Sequence, residues 1–344
     1  MRGQRVQFSG ARDTQIPFRF DRYTRRNHRR HPRGGLILAT HTWNPGRIHH
    51  EWDLDLEPAL AIESGDTVLF DIPMAGESQV TFGASIADCS FDFDTIYNLA
   101  GPIEVRGAEL GDTLRVDILS LETGAWGWCV ILPGVGLLPD YFPDGYVRTF
   151  SLDDGPIAFG DGIAIPKTPF FGTMGNHPGE PRKNVPFPPH RGGGNMDNRH
   201  LQQGATLWLP VHVPGAHFSV GDPHACQGDG EVCVAALECP MRAALKFTLE
   251  KRPVSCPQWR SPGALTSRTD SGGYHGTMGI ADDLMEAARM AVRSMIGWLG
   301  DEHALAPQDA YMLCSLAGDL KIIEIVDSGV WNVGMTMPLA LFNR

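Results

Sequence analysis

The sequence predicts a mainly β protein of the sandwich or barrel type, with jelly-roll-type strands and a C-terminal α+β part. Apolar residues recur with a period of two through about the first 250 residues, and 40 glycines and 26 prolines are spread as loops between the short runs. Near the C-terminus the period becomes helical. We therefore divide the 344 residues into a basic extension (1–35), a β-rich domain (36–265) and an α+β part (266–344).

Three segments show the alternation that is typical of half-buried strands. They contain Val68, Phe70 and Ile72, then the runs 114–118 and 207–211, and each follows a turn signal. GDTVLFDI (65–72) and GDTLRVDI (111–118) look like two copies of one strand entry. The sequence thus predicts strands at these three places.

The segment 149–199 lacks clear periodicity and is rich in proline and glycine, as in FGTMGNHPGEPRKNVPFPPHRGGGN. Loops of this length inside a compact domain are usually functional or disordered. Its glycine, histidine and asparagine content favours a loop that forms part of a site.

The C-terminal part opens with a helical stripe in DDLMEAARMAVRSMIGWL (282–299). Asp282 or Asp283 is placed to cap this helix, and Gly300 is expected just beyond its end. A shorter helix is expected from Pro307, and KIIEIVD is expected to form a strand.

Charge and hydropathy exclude several classes of protein. The net charge of −11 argues against nucleic acid as a partner, and the longest apolar runs are too short to span a membrane. The exception is 21–35, with six arginines, which is either a tail for an anionic surface or, as we favour, a disordered, solvated extension. Without a secretory apolar stretch we expect a cytoplasmic protein, and exposed apolar surface on the α+β part favours a homo-oligomer.

Seven cysteines without a C-x-x-C spacing predict reduced core residues rather than a zinc knuckle or a disulfide framework.

The stretch SVGDPHACQGDGEV (219–232) concentrates groups that bind metals or move protons. If 218–224 is extended, Asp222 and His224 point to one side, because side chains alternate along a strand. Such a pair suits zinc or a similar divalent ion. The alternative, which the two-residue pattern alone favours, is that Gly221, Asp222 and Pro223 form a turn with His224 at its edge.

The following residues suggest a hairpin, because the Asp-Gly pair in QGDGE is typical of a tight turn before a strand EVCVAALE (231–238). On a regular strand Glu231 and Glu238 face opposite sides. Glu238 ends an apolar row, so burial would require it to be paired, protonated or bound to a metal. Glu231 is expected at a loop mouth, where an acid or base meets substrate.

Two further segments carry groups that can bind metals. GGGNMDNRH contains Asp197 and His200 after three glycines, and IHHEWDLDLEP contains His49 and His50. Neither spacing requires a metal.

Segments from about His49 to Asp327 together resemble the acetamidase/formamidase family. The resemblance is carried by LEPALAIESGDTVLFDI, AGPIEVRGAELGDTLRVDIL, GWCVILPGVGLLPDYFP, GGNMD, GDPHACQGDGEV and YHGTMGIADDLMEAARMAVRSMIGWL. It implies that the β-rich domain is catalytic, that small amides are the substrates, and that a divalent metal is bound. The matching ligand positions are Asp197, Asp222, His224 and Glu238, with His50 as an addition. Pro223 departs from the pattern.

The mechanism that we expect is hydrolysis of formamide or acetamide by metal-activated water, with zinc as the first choice of metal. Glu231 and Asp229 are the catalytic candidates, and Gln227 and Gly228 are the candidates for substrate binding. One alternative uses Cys226 as a nucleophile activated by His224. Another is a β-rich binding protein with a structural calcium ion, and a second calcium is also compatible with the enzyme.

Overall fold

A computed structural model describes residues 38–160, 162–264, 272–326 and 329–342. The basic extension 1–35 lies outside these residues, so the expectation of disorder there is not addressed by the structure. In the described part of the chain, none of the helices has the length and apolar character needed to cross a membrane.

The first sheet has six strands in the order β1-β5-β17-β7-β15-β18, and only the β1–β5 pair is parallel. Its strands are β1 (Thr40–Thr42), β5 (Thr67–Ile72), β7 (Thr113–Thr123), β15 (Thr206–Pro210), β17 (Met241–Glu250) and β18 (Gln258–Arg260). Buried and half-buried residues alternate along β5. The three strands predicted from alternation are thereby confirmed.

The second sheet has the order β14-β12-β16-β6-β2, with β4 also paired to β6. Its strands are β2 (Ile48–His49), β4 (Leu60–Ile62), β6 (Leu99–Val105), β12 (Phe170–Asn176), β14 (Gly193–Asn195) and β16 (Phe218–His224). The rings of Phe218 in this sheet and Phe247 in the first sheet meet edge to face, with centroids 5.0 Å apart. Both sheets therefore contribute to one hydrophobic core.

Shorter pairs and a third sheet complete the described chain. They are β3 (Trp52–Asp53) with β13 (Lys183–Asn184), β8 (Trp126–Ile131) with β9 (Tyr146–Ser151), β10 (Ile157–Gly160) with β11 (Ile163–Ile165), and β19 (Tyr274–Ala281), β20 (Asp319–Glu324) and β21 (Trp331–Pro338) in the order β19-β21-β20. The helices are α1 (Leu284–His303) and α2 (Pro307–Ala317). The prediction of a mainly β fold with a C-terminal α+β part is confirmed, and the described strands do not close into a barrel.

The two similar segments before β5 and β7 form turns of the same kind. In each, the aspartate N–H donates to the carbonyl of a glutamate three residues earlier, Glu63 or Glu109, over 3.1 Å. The carboxylates of Asp66 and Asp112 accept the N–H of that same glutamate, at 3.0 and 2.8 Å. Each turn thus satisfies its own backbone before the strand begins.

The segment 149–199 is not one long loop, because it contains β10 to β14. β12 was not predicted because all its residues are buried, so its sequence FFGTMGN has no alternation to reveal a strand.

The C-terminal helices follow the prediction except at one end. Asp283 caps α1 by accepting the N–H of Glu286 at 2.8 Å. The helix continues through Gly300 to His303, and Ala304 takes the left-handed conformation instead. α2 begins at Pro307 as expected.

Candidate active site

Strand β16 carries the first two residues of the site. It pairs with β12 on one side and β6 on the other, and its seven residues are all buried. His224 Nε2 lies 3.4 Å from an oxygen of Asp222. The predicted strand and the approach of the two side chains are confirmed, although Asp222 has a positive φ of 55° within the strand. The alternative of a turn at Gly221 to Pro223 is wrong.

The segment 231–238 brings both glutamates to His224, although it is not a strand. Glu231 and Val234 have positive φ angles of 43° and 83°, and Val234 N–H closes a turn onto the Glu231 carbonyl. The segment packs on α2, where Ser315 Oγ accepts the N–H of Cys233. The predicted hairpin and strand are therefore wrong, and so is the inference that Glu231 and Glu238 face opposite sides.

Glu238 joins the site through isolated bridges to Trp128 in β8 and His224 in β16. Its Oε2 lies 3.2 Å from His224 Nε2. Glu238 is 5% exposed, so the condition that the sequence analysis attached to its role, burial, is met.

Asp197 lies in the turn that follows β14. The N–H groups of Met196 and Asp197 both donate to the carbonyl of Gly172, and Asp197 has a positive φ of 47°. Thr173 donates to Asn195, whose amide donates in turn to Asp197 Oδ2 at 2.9 Å. This relay holds the carboxylate with its other oxygen, Oδ1, buried and without a hydrogen-bond partner.

The result is two overlapping groups that share one imidazole. Asp197, His224 and Glu231 offer ligand atoms within 4.8 Å of one another, and so do Asp222, His224 and Glu238. Asp197, Asp222 and Glu231 all have positive φ. Such backbone conformations are uncommon outside glycine and cluster at functional sites, because the surrounding structure must hold them.

Because Gly172 has no side chain, the space between Asp197, Asp222 and His224 stays free. A Cβ at this position would lie 2.5 Å from Asp197 Oδ1, 2.6 Å from Asp222 Oδ2 and 2.7 Å from His224 Cε1. Any larger residue would therefore intrude between the two groups. The sequence analysis missed this residue, although a glycine inside a strand signals close approach by another group.

Three acids of the site have raised pKa values. Burial raises the pKa of Glu238 to about 7 and that of Asp197 to about 6, and the charge of Asp222 adds to both shifts. Burial and the charge of Asp197 raise the pKa of Glu231 well above its ordinary value. Burial alone would lower the pKa of His224, but Glu238 and Asp222 raise it. The cluster therefore favours a bound cation or proton.

The side chains fit a divalent metal ion. Both ring nitrogens of His224 and one oxygen each of Asp197 and Glu238 are buried without hydrogen-bond partners. Carboxylates with one imidazole are ligands that zinc, manganese and iron accept. Asp222, His224 and Glu238 are buried, whereas Asp197 and Glu231 are partly exposed, so solvent reaches the cluster at the latter pair.

The other predicted residues lie around the cluster. His50 belongs to neither group and its Nδ1 contacts the carbonyl of Tyr97 at 2.6 Å. Gln227 donates to the Asp197 carbonyl, and its Oε1 is buried without a partner. Gly228 directs its N–H to the Ser315 carbonyl, so this amide is not offered to a ligand.

Asp229 and Cys226 also lie outside both groups. Asp229 does form the predicted turn with Gly230, and its carboxylate lies 3.7 Å from His200 Nε2. Burial raises the pKa of the Cys226 thiol to about 12, which opposes formation of a thiolate nucleophile. All seven cysteines are free, and six are buried as predicted for core residues. Cys256 is exposed, so the prediction is wrong for this residue.

Tyr97 is a further residue that the sequence analysis missed. Burial and the charge of Asp222 raise its pKa well above the ordinary value, and the other three carboxylates act in the same direction. Tyr97 therefore keeps its hydroxyl proton beside the acidic cluster.

The whole described chain matches one family of hydrolases. The sequence model of the acetamidase/formamidase family covers residues 39–184 and 180–344, so the chain belongs to this family.

Individual relatives agree with this membership. The formamidase of Methylophilus methylotrophus is 27% identical over 57% of this chain and 62% of its own length. The crystal structure of an acetamidase from Bacillus halodurans is 27% identical, with a TM-score of 0.61 over 89% of this chain and 98% of that chain. A gamma lactamase from Delftia acidovorans, 22% identical, shares the fold with a TM-score of 0.80 over 88% of this chain and 94% of its own.

Proposed function

We propose that the chain hydrolyses short linear amides, with formamide and acetamide as reference substrates, to a carboxylate and ammonia. Family membership and the formamidase and acetamidase among its relatives support this proposal. The observation that carries it is the cluster around His224, in which four acids and one imidazole leave buried polar atoms without partners.

Asp222, His224 and Glu238 would hold a divalent ion, with Asp197 as a fourth donor, and zinc is the first choice. When bound, such an ion lowers the pKa of water toward about 7 and polarises the amide carbonyl. The chain's own contribution is to fix these donors before any substrate arrives: Asp222 and His224 lie on β16, Glu238 is held by bridges to β8 and β16, and Asp197 lies in a turn with a positive φ. Asn195 and Gln227 keep Asp197 in place from two sides.

We assign proton transfer to Glu231, because it is partly exposed and lies in one group with Asp197 and His224. Its carboxylate takes one proton from the attacking water and delivers it to the amide nitrogen. The C–N bond then breaks, and nitrogen leaves as ammonia rather than as an amide anion. Asp229, the other catalytic candidate, lies outside both groups, so we assign it no role in proton transfer.

We assign the orientation of the substrate to Gln227. Its Nε2 is already engaged with the Asp197 carbonyl at 2.8 Å, and its unpartnered Oε1 is an acceptor for the amide NH₂. A second structural calcium ion, a homo-oligomer and a cytoplasmic location stay predictions from the sequence.

The test is ammonia release from formamide, acetamide and propionamide before and after treatment with a chelator, followed by add-back of single metals. We expect turnover that chelation removes and one divalent metal restores. Turnover that is indifferent to chelation would contradict the metal site, and absence of turnover on all three amides would contradict the proposed activity.

A further inference from the structure

An open cleft of about 480 Å³ adjoins the site on the side of Asp197. Asp197 is one of its lining residues, together with His200, Leu207, Asp229 and Trp259. Asp197 is also one of the two partly exposed acids of the cluster around His224. A group attached to the reacting amide therefore has direct access to this cleft.

The cleft arises where the first sheet ends. β18 is the last strand of that sheet, and Trp259 pairs with Leu207 of β15. Residues that pair directly across two strands point to the same face of the sheet. Leu207 is 1% exposed in the core, whereas Trp259 is 52% exposed, because the edge position leaves its ring uncovered.

Ring surfaces and apolar groups shape this space. The rings of His200 and Trp259 stack, with centroids 6.5 Å apart and an angle of 17° between their planes. Pro257 and Met196 extend the apolar wall, and the carboxylate of Asp229 lies beside His200 at 3.7 Å. A flat apolar ligand would bury one face against the exposed ring of Trp259.

The volume of the cleft is much larger than acetamide needs. Pockets of about 300–1,000 Å³ are typical of drug-sized ligands, whereas the acyl chain of acetamide is a single methyl group. From the volume, the stacked rings and the contact with Asp197, we propose that the cleft binds an aromatic ring on the acyl side of a primary amide. Trp259 is then a specificity-determining residue. This inference rests on the proposed amide hydrolysis, because it concerns the same reacting centre.

The test compares kcat/KM for phenylacetamide and acetamide in the wild type, Trp259→Ala and Phe82→Ala. Phe82 is a matched control, since it is a 60% exposed aromatic residue packed on Trp126 and outside the cleft. We expect Trp259→Ala to lower the ratio of kcat/KM for phenylacetamide over acetamide about tenfold, and Phe82→Ala to leave it unchanged.

Binding of phenylacetamide to each protein, measured by calorimetry, separates the two proposals. Binding that Trp259→Ala weakens, without turnover of either amide, would support the ring site and contradict the proposed function. Turnover of acetamide with a ratio that Trp259→Ala leaves unchanged would overturn the ring site alone. Absence of both binding and turnover would overturn both.

Discussion

Two sets of buried carboxylates in this molecule have opposite surroundings. In the turns before β5 and β7, Asp66 and Asp112 are 2% and 8% exposed, yet each accepts hydrogen bonds. The carboxylate of Asp66 also accepts the N–H of Ala39 and contacts the ring of His41, and that of Asp112 accepts a hydrogen bond from Lys251. Burial acts to raise the pKa of both aspartates, but these donors outweigh it and hold both values below the ordinary one.

The cluster around His224 shows the reverse. Asp197, Glu231 and Glu238 have raised pKa values, and burial is the largest cause for each of them. Asp66 and Asp112 accept two or more hydrogen bonds each, whereas Asp197 and Glu238 accept one each, from Asn195 and from the N–H of Ala236, and keep a second buried oxygen without a partner. Burial alone does not distinguish the two sets, but the hydrogen-bond partners do.

The largest effect is expected from His224→Ala, because this imidazole belongs to both groups. We predict loss of the bound divalent metal and a fall in kcat/KM for acetamide of at least about 100-fold. Metal analysis and ammonia release would measure this. His212→Ala, which changes a histidine outside both groups, serves as the control, and full metal occupancy in His224→Ala would contradict the assignment.

Glu231→Gln is expected to separate metal binding from proton transfer. The amide keeps the size of the side chain but cannot accept and release the proton, so kcat should fall by about 10²–10⁴-fold. Metal content should stay near that of the wild type. Turnover close to wild type in this variant would end the role given to Glu231.

The aspartates of the two turns should affect stability and not chemistry. Asp66→Ala leaves the N–H groups of Ala39 and Glu63 without their acceptor, which predicts a loss of about 1–3 kcal/mol in the free energy of unfolding. Urea denaturation would measure the loss in the free energy of unfolding. Ammonia release by the folded variant would show whether its activity is unchanged. An unchanged denaturation midpoint would show that this turn is not stabilised as described.

The pH dependence of that loss has a definite sign. The pKa of Asp66 is lowered by folding, so its stabilising contribution is complete above the unfolded value of about 3.9 and disappears as the pH falls through the lower, folded value. The stability difference between wild type and Asp66→Ala should therefore be constant above about pH 5 and narrow below about pH 4. Urea denaturation at a series of pH values tests this, and a difference that grows on acidification would contradict it.

Local patterns in the sequence were insufficient for Asp222, where the two-residue pattern alone favours a turn, but they were sufficient for the strands at 68–72 and 114–118. In each case alternation along one strand determines which side chains lie together. The resemblance to the family also pointed to Asp197 and Glu238. These features could be predicted because they depend on residues close in sequence or on a distinct motif.

Contacts between distant segments determine the rest of the site. Glu231 reaches His224 only because its segment packs on α2 and turns at two positive φ angles, which its strand-like sequence conceals. Asp197 depends on hydrogen bonds to the Gly172 carbonyl, and β12 lacks alternation because it is wholly buried. Neither arrangement can be predicted from the hydrophobic periodicity of the sequence.

The most direct test of the central claim is the metal content of Gly172→Ala, measured with ammonia release beside Gly160→Ala. Both glycines lie in strands, but a Cβ at Gly160 meets no atom within 4 Å, whereas one at Gly172 enters the space between Asp197, Asp222 and His224. We predict a folded Gly172→Ala protein with little bound metal and at least about tenfold lower turnover, and a Gly160→Ala protein like the wild type. Wild-type metal content and turnover in Gly172→Ala would contradict the claim that the cluster around His224 is the metal-dependent centre of this amidase.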